Sequence, residues 1–510
     1  MINIYSSNLK SPLQNKLLSI FIIPIICFVF TGIFYNSLPI LGFNNMTFPI
    51  TGISILYIIA GITALVFYIA YLNFIVVRPW YLLYFPLVIW RLFVYWNYSY
   101  PNDFHVNIRI SCLFLLGFPV LLLIIKHFKS LWHEFTCFKW FCLFETLCLF
   151  FLIFHSSSFI NPLNTVYEHA TASRMFVINY SYLFIAAVVG HLSCKLHPNP
   201  RLLFKQFNTV FIFYLTIETI CTVLGYPFQL FSRNVDGFLR GEGFNEHPNA
   251  LAFVSSFSFL YFFGLLNDYR TDKTNTYNEY SIPLLLIVIG LLSSGTSFLL
   301  ALSKNAIACL FVVMLFYTSL LGIRFKQKKP ITMLLFLFTF VLPVLFIIYY
   351  LLTGNSLTDL IEARVQDSSS FEWRLRVWQS LLNEIHTPSL ILGHGLGSVD
   401  EYLYSFLSLE YLTKFAIFYP HNATIQVLYE MGLLGLTYYI PCIIYATKAF
   451  DLAIKKPKVQ AFSLAGLTIV IYFLLAAQVD EMIVMFSTML MWMILSFIQS
   501  YILFENQETK

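Results

Sequence analysis

Charge is what this sequence has least of. Of its 510 residues only 11% are Asp, Glu, Lys or Arg, while 59% are hydrophobic. So apolar a chain is not a disordered, self-repelling one. Its net charge of +5 needs no nucleic-acid partner. Metal-ligand patterns are scarce too: no Asp-x-Asp pair occurs, and the acidic residues show no ligand-like grouping. The nine cysteines lie in or beside apolar segments, which argues against both a disulfide framework and a zinc site. No metal and no cofactor are expected.

What the sequence does have is apolar length. A hydrocarbon core about 30 Å thick takes roughly 20 helical residues to cross, and about fourteen runs of suitable length recur along the chain. They fall near residues 17–35, 52–75, 80–97, 110–126, 137–154, 175–193, 205–224, 250–266, 281–295, 298–322, 331–353, 425–447, 460–478 and 483–503. Backbone amides in lipid need internal partners, and these runs are too long and too uniformly apolar for barrel strands. The expected fold is therefore an all-α polytopic membrane protein, residues 1–510 forming one integral membrane domain. The first run, Leu17–Tyr35, follows Lys10 and Lys16 and has no small-residue cleavage site, so it reads as a retained span.

Alternating the loops puts roughly twenty of the thirty Lys and Arg on the N-terminal side, in short basic loops such as KHFKS, RFKQKKP and KKPK. Both termini are then expected in the cytoplasm. Two outer-face segments stand apart, residues 225–249 and residues 354–421, where Arg240, Arg364, Arg374 and Arg376 run against the positive-inside trend. A long inter-span loop in a compact bundle is more often functional than idle.

In the shorter segment, RNVDGFLRGEGFNEHPNALAF, the glycines at 237, 241 and 243 loosen the backbone around Arg240, and Pro248 with Asn249 marks a turn and a helix start. An arginine here either snorkels to lipid headgroups or presents paired donors to a phosphate. The longer segment contains an amphipathic helix on Trp373, Val377, Leu381, Leu382 and Ile385. Arg374 and Trp378, four apart, share a face of it. Pro388 and the run GHGLGS follow, a flexible turn in which Gly395 lets backbone approach a ligand. The segment closes with FYPHNATIQVLYEMGLLGL, where His421 and Asn422 precede an apolar helix carrying Gly432 and Gly435 at a spacing that permits close helix contact. His394 and the Asp480–Glu481 pair read as structural.

These stretches, in this order, resemble the signature region of the bacterial O-antigen polymerase and O-antigen ligase superfamily. The resemblance rests on Arg374 to Trp378, Gly393 to Gly397, His421-Asn422 with Gly432 and Gly435, and upstream on Arg240, Gly243, Phe244, Pro248 and Asn249. LSKNA, at Leu302 to Ala306, is similar to a Ser-Arg motif in which Lys304 replaces the arginine. The resemblance covers about residues 225–445 and leaves residues 1–200 to hydropathy alone.

It implies an inner-membrane enzyme that transfers glycan from undecaprenyl diphosphate at the periplasmic face, without a metal. A diphosphate already leaves well, so its growing charge must be neutralised and the acceptor hydroxyl must lose a proton. The implied roles are His421 as general base, Arg240 and Arg374 as diphosphate clamp with Arg376 beside them, and Asn422, Trp378, Asn249, Gly395, Gly432 and Gly435 in support. Partners would be lipid-linked donor and acceptor, the bilayer, and a chain-length regulator. The span count favours a polymerase over a ligase. A flippase or transporter would show internal repeats and several intramembrane charges, whereas no repeat is visible and Arg91 is the clearest such charge.

Overall fold

The computed structural model describes residues 66, 68–85, 87, 116–158, 172–225, 232–235, 238–243, 248–271, 282–301, 303–326, 369–406, 420–479 and 486–504. Among them are helices α1 (Phe118–Glu134), α2 (Phe138–Phe154), α3 (Ala172–Leu196) and α4 (Pro200–Gly225). A two-stranded ribbon follows, β1 (Ser232–Val235) and β2 (Phe238–Gly241), and then α5 (Pro248–Thr271), α6 (Leu284–Ala301) and α7 (Lys304–Ser319). The later helices are α8 (Ser369–Glu384), α9 (Thr387–Leu392), α10 (Ser398–Phe406), α11 (Ala423–Gly435), α12 (Ile440–Lys455), α13 (Gln460–Ala476) and α14 (Phe486–Phe504).

Seven of the described helices are long and apolar enough to cross a membrane, or eight if the bent pair α1–α2 is one span. The fourteen expected spans are not all in view. The segments at 17–35 and 331–353, most of those at 52–75 and 80–97, Arg91, Phe244 and the Asp480–Glu481 pair lie outside the described residues. Two expected spans are corrected. Of these, residues 118–126 and 138–154 belong to α1 and α2, which meet at 120°, and residues 110–115 lie outside the described residues. Pro119 lies in the first turn of α1, where its missing N–H costs nothing, and α1 continues past the expected end to Glu134 with a kink at His127, whose φ −111° and ψ 17° leave the helical region. The break expected at residues 296–297 falls instead just before Ser303, which caps α7 by accepting from the Ala306 amide. Small polar residues earlier in α6 read as a turn but serve packing, since Thr219 of α4 bonds the Ser297 hydroxyl at 2.8 Å and the Ser293 carbonyl at 3.0 Å.

Burial runs inside out. Phe213, Ile217, Ile220 and Leu224 form an exposed stripe along α4 at helical spacing, the surface expected toward lipid. The interior is built on α5, α13 and α14, and α3 packs so closely on α14 that a Cβ at Gly190 would lie 2.2 Å from the Met493 carbonyl oxygen. At one end of α5 the buried Asp268 carboxylate accepts from the Ala461 and Phe462 amides at 2.9 and 2.8 Å, satisfying donors that the start of α13 cannot pair internally.

The ends of α2, α4, α6 and α13 and the starts of α5, α7 and α11 gather at one end of the bundle. Contacts across that end carry the candidate site.

Candidate functional site

Above the gathered ends lies a small helical cap, α8 to α10, with a core of its own. Trp373, Val377, Leu381, Val399 and Leu403 pack with Ile425 and Tyr429 of α11. The apolar stripe expected along α8 is therefore present, with one correction. Leu382 is exposed, because it lies a hundred degrees around the helix from Leu381.

Arg374 and Trp378 fasten α8 to the bundle. Arg374 Nη1 donates to the Val479 carbonyl at 2.8 Å, and Trp378 Nε1 donates to the Pro420 carbonyl at 2.5 Å. Among the described residues Arg374 Nε is buried without a hydrogen-bond partner. Arg376 is not drawn into this arrangement and lies exposed on α8 beside the buried Val377.

The turn that receives Arg374, residues 477–479, ends α13. The last carbonyls of a helix have no partner within it and carry partial negative charge. Donors from three other elements take them up. Asn422 Nδ2 reaches the Gln478 carbonyl at 2.9 Å, the Ala423 amide reaches the Ala477 carbonyl at 2.8 Å, and Asn305 Nδ2 shares the Val479 carbonyl at 3.4 Å. Nothing in the sequence singled out this turn, which carries no motif, and Asn305 lies in LSKNA, where the resemblance concerned Lys304 and not the asparagine.

Asn422 is also the N-cap of α11, its Oδ1 accepting from the Ile425 amide at 2.9 Å. His421 precedes it with φ 51°, in the left-handed region that histidine and asparagine enter more readily than most residues. Its ring stands edge-on to Trp373, centroids 6.0 Å apart. A buried cap on one side and an indole on the other thus hold a half-buried imidazole at the mouth of the helix.

Arg240 departs from expectation. It lies on β2 of an antiparallel ribbon, opposite Arg233, and not on a loose glycine turn. It is 6% exposed. Its Nε donates to the Ala301 carbonyl at the end of α6 and its Nη2 to Asn249 Oδ1 at the start of α5, each at 2.8 Å. The dipeptide between the strands, Asp236-Gly237, is favoured in two-residue hairpin loops, a signal for this ribbon that the reading of the glycines as a loose turn passed over. Lys304, exposed, opens α7 three residues after Ala301, next to Asn305. Arg240, Asn305, Arg374 and Asn422 are therefore linked through two helix ends, Ala301 and residues 477–479.

The glycine motifs meet each other. Gly432 breaks α11 with φ 60° and ψ −152°, and Gly393 takes φ 69° and ψ −165°, a region open essentially to glycine alone. The break leaves the Tyr429 and Glu430 carbonyls unpaired within the helix, and the amides of His394 and Gly395 fill them at 2.8 and 3.0 Å. The far side of the turn is tied to α2, where the Leu396 amide bonds the His155 carbonyl at 2.9 Å. Gly435 is buried in the last turn of α11, its absent side chain facing the Val427 carbonyl oxygen at 2.3 Å. That contact lies within α11, so Gly435 does not mark a seam between two helices.

Residues 282–440 match the model of the O-antigen ligase family. Within that segment the chain is similar to the O-antigen polymerase/ligase superfamily. The matched segment contains α6, α7, the cap and α11, with Lys304, Arg374 and His421, while Arg240 lies before it. No curated protein matches the chain. Members of this superfamily are membrane glycosyltransferase-like polymerases and ligases, in keeping with the multi-pass fold.

The two arginines use fork geometry that an ammonium lacks, so Arg240→Lys and Arg374→Lys are each expected to lower glycan transfer at least tenfold, about 1.4 kcal/mol or more. Surface polysaccharide from complemented deletion strains, resolved on gels, reads this out. Full activity in both variants counts against a role for the guanidinium groups.

Proposed function

We propose that the protein is an O-antigen polymerase of the inner membrane that transfers glycan from undecaprenyl diphosphate to a hydroxyl of a second lipid-linked repeat unit at the periplasmic face. The observation that carries this reading is the Nε of Arg374, buried and without a hydrogen-bond partner among the described residues, on a guanidinium that shares the Val479 carbonyl with Asn305, the neighbour of Lys304. Burying such a donor without a partner costs about 1–3 kcal/mol, and a phosphate oxygen would remove that cost.

In this reading the acceptor oxygen attacks the anomeric carbon, the bond from that carbon to the diphosphate breaks, and undecaprenyl diphosphate leaves with the electron pair. His421 takes the acceptor proton. Arg374 and Lys304 neutralise the departing charge, while Arg240 acts from behind, fixing the ends of α6 and α5 so that Lys304 is presented to the phosphates. A site at the ends of apolar helices suits this substrate, because its phosphates lie at headgroup depth and its tail in the bilayer.

The second reading is the ligase, which the description of the matched family favours. Donor chemistry is shared and only the acceptor differs. A deletion strain separates them: single repeat units remaining on lipopolysaccharide identify a polymerase, and lipopolysaccharide without any repeat unit identifies a ligase. Unchanged ladders would falsify both.

A further inference from the structure

Where the glycine turn meets the broken helix, two acids are buried together. Glu430 on α11 is 1% exposed, and its carboxyl is hydrogen-bonded by the Gly397 and Val399 amides and by Gln426. Its second oxygen, Oε2, is buried and has no hydrogen-bond partner among the described residues. Asp400, in the first turn of α10, is also buried and interacts electrostatically with Glu430. Other titratable groups around them are Tyr429 on α11, Glu401 and Tyr402 on α10, Glu384 on α8, Cys148 and His155 from α2, and, beyond Cys148, Tyr180 on α3. Neither carboxyl is shifted by a lysine or arginine among the described residues.

We propose that Asp400 and Glu430 form a proton-dependent clasp that locks the glycine turn onto α11 and thereby positions His421, nine residues before Glu430 on the same segment. With a proton on the pair, one negative charge remains and the amides of Gly397 and Val399 hold it. Without that proton two buried charges oppose each other where the start of α10 meets the break in α11. The turn then loosens, and with it the cap that seats Trp373 on His421. Both acids are positioning residues, since neither touches the reacting atoms. The effect on transfer rests on the proposed role of His421, whereas the effect on the cap does not.

Burial pushes the Asp400 carboxyl up from 3.8 to about 7. In this buried pair the proton belongs to both residues. A raised folded-state value means that the native protein keeps a proton which the unfolded chain has already lost. The stabilisation is thus present at low pH and drains away as pH climbs from about 4 to about 7.

The test uses full-length protein in detergent, with thermal unfolding followed from pH 5 to pH 8 for the wild type, Asp400→Asn, Glu430→Gln, their double variant and His421→Asn. The wild-type and His421→Asn midpoints should fall across this range, those of Asp400→Asn and Glu430→Gln should fall less steeply, because each keeps one buried acid, and those of the double variant Asp400→Asn/Glu430→Gln should stay level. In a polymer assay the alkaline decline of the Asp400→Asn variant should move up by about one pH unit or more. Midpoints of both acid variants that fall as steeply as wild type overturn the clasp. If Asp400→Asn does not fold, the Glu430→Gln profile decides alone by the same criterion. Flattened midpoints together with an unmoved activity profile keep the clasp and reject its link to His421.

Discussion

His421→Asn is expected to abolish glycan transfer, a loss of at least a hundredfold, while the protein remains folded in the membrane. Asparagine is the informative replacement because the backbone at this position is left-handed, with φ 51°. Alanine there combines the loss of the imidazole with a backbone penalty of roughly 1–2 kcal/mol, so a dead alanine variant would say little about chemistry. Asparagine tolerates the conformation and cannot take up a proton. The measurement is the polysaccharide ladder from a complemented deletion strain, beside the amount of protein in the membrane fraction and its unfolding midpoint. A wild-type ladder from His421→Asn would remove the general base from the scheme and leave the imidazole a packing partner of Trp373.

Gly432→Ala should be severely damaging for the addition of a single methyl group. Its backbone angles fall where essentially only glycine is found, and an added Cβ would meet the Ile391 carbonyl oxygen at 2.3 Å and the Gly393 amide nitrogen at 2.7 Å. Both neighbours are backbone held by the turn, so neither can step aside. The strain alone costs about 1–3 kcal/mol. Escape by straightening α11 would withdraw the carbonyls that pair with His394 and Gly395. Loss of transfer is expected together with a lower unfolding midpoint or greater protease sensitivity within residues 387–397. Gly435→Ala, where an added Cβ meets the Val427 carbonyl oxygen at the same 2.3 Å but the backbone is helical with φ −61°, is the comparison that separates the clash from the strained conformation. A Gly432→Ala protein with wild-type stability and activity would mean that the turn and the helix break are not coupled as described.

The glycines show how the sequence and the structure divide the work. GHGLGS and the Gly432 helix are visible in the sequence as two separate motifs, one a loose turn and one a close helix contact. In the structure the carbonyls freed by the break at Gly432 are satisfied by the amides of the turn. No local rule joins them, because the pairing spans 35 residues and is imposed by the unmet hydrogen bonds of a broken helix. Arg240 teaches a related lesson. Its position among glycines read as exposure, yet it is buried, because the ribbon packs down on α4 and α6 and brings the guanidinium to a helix end that needs donors.

Hydrophobic content and scarcity of charge by themselves determined that this is a helical membrane protein, since a backbone in lipid has few ways to satisfy its amides. The periodicity of α8, the cap at Asn422 and the order of the motifs were equally plain, because each depends on neighbours within a few residues. The tertiary structure alone decided that Arg374, Asn305, Asn422 and Ala423 converge on residues 477–479, and that Asp400 and Glu430 are buried within electrostatic reach of each other. These partners are far apart in the chain. What brings them together is the electrostatic need of helix ends and buried acids, which acts through space and leaves no trace in local composition.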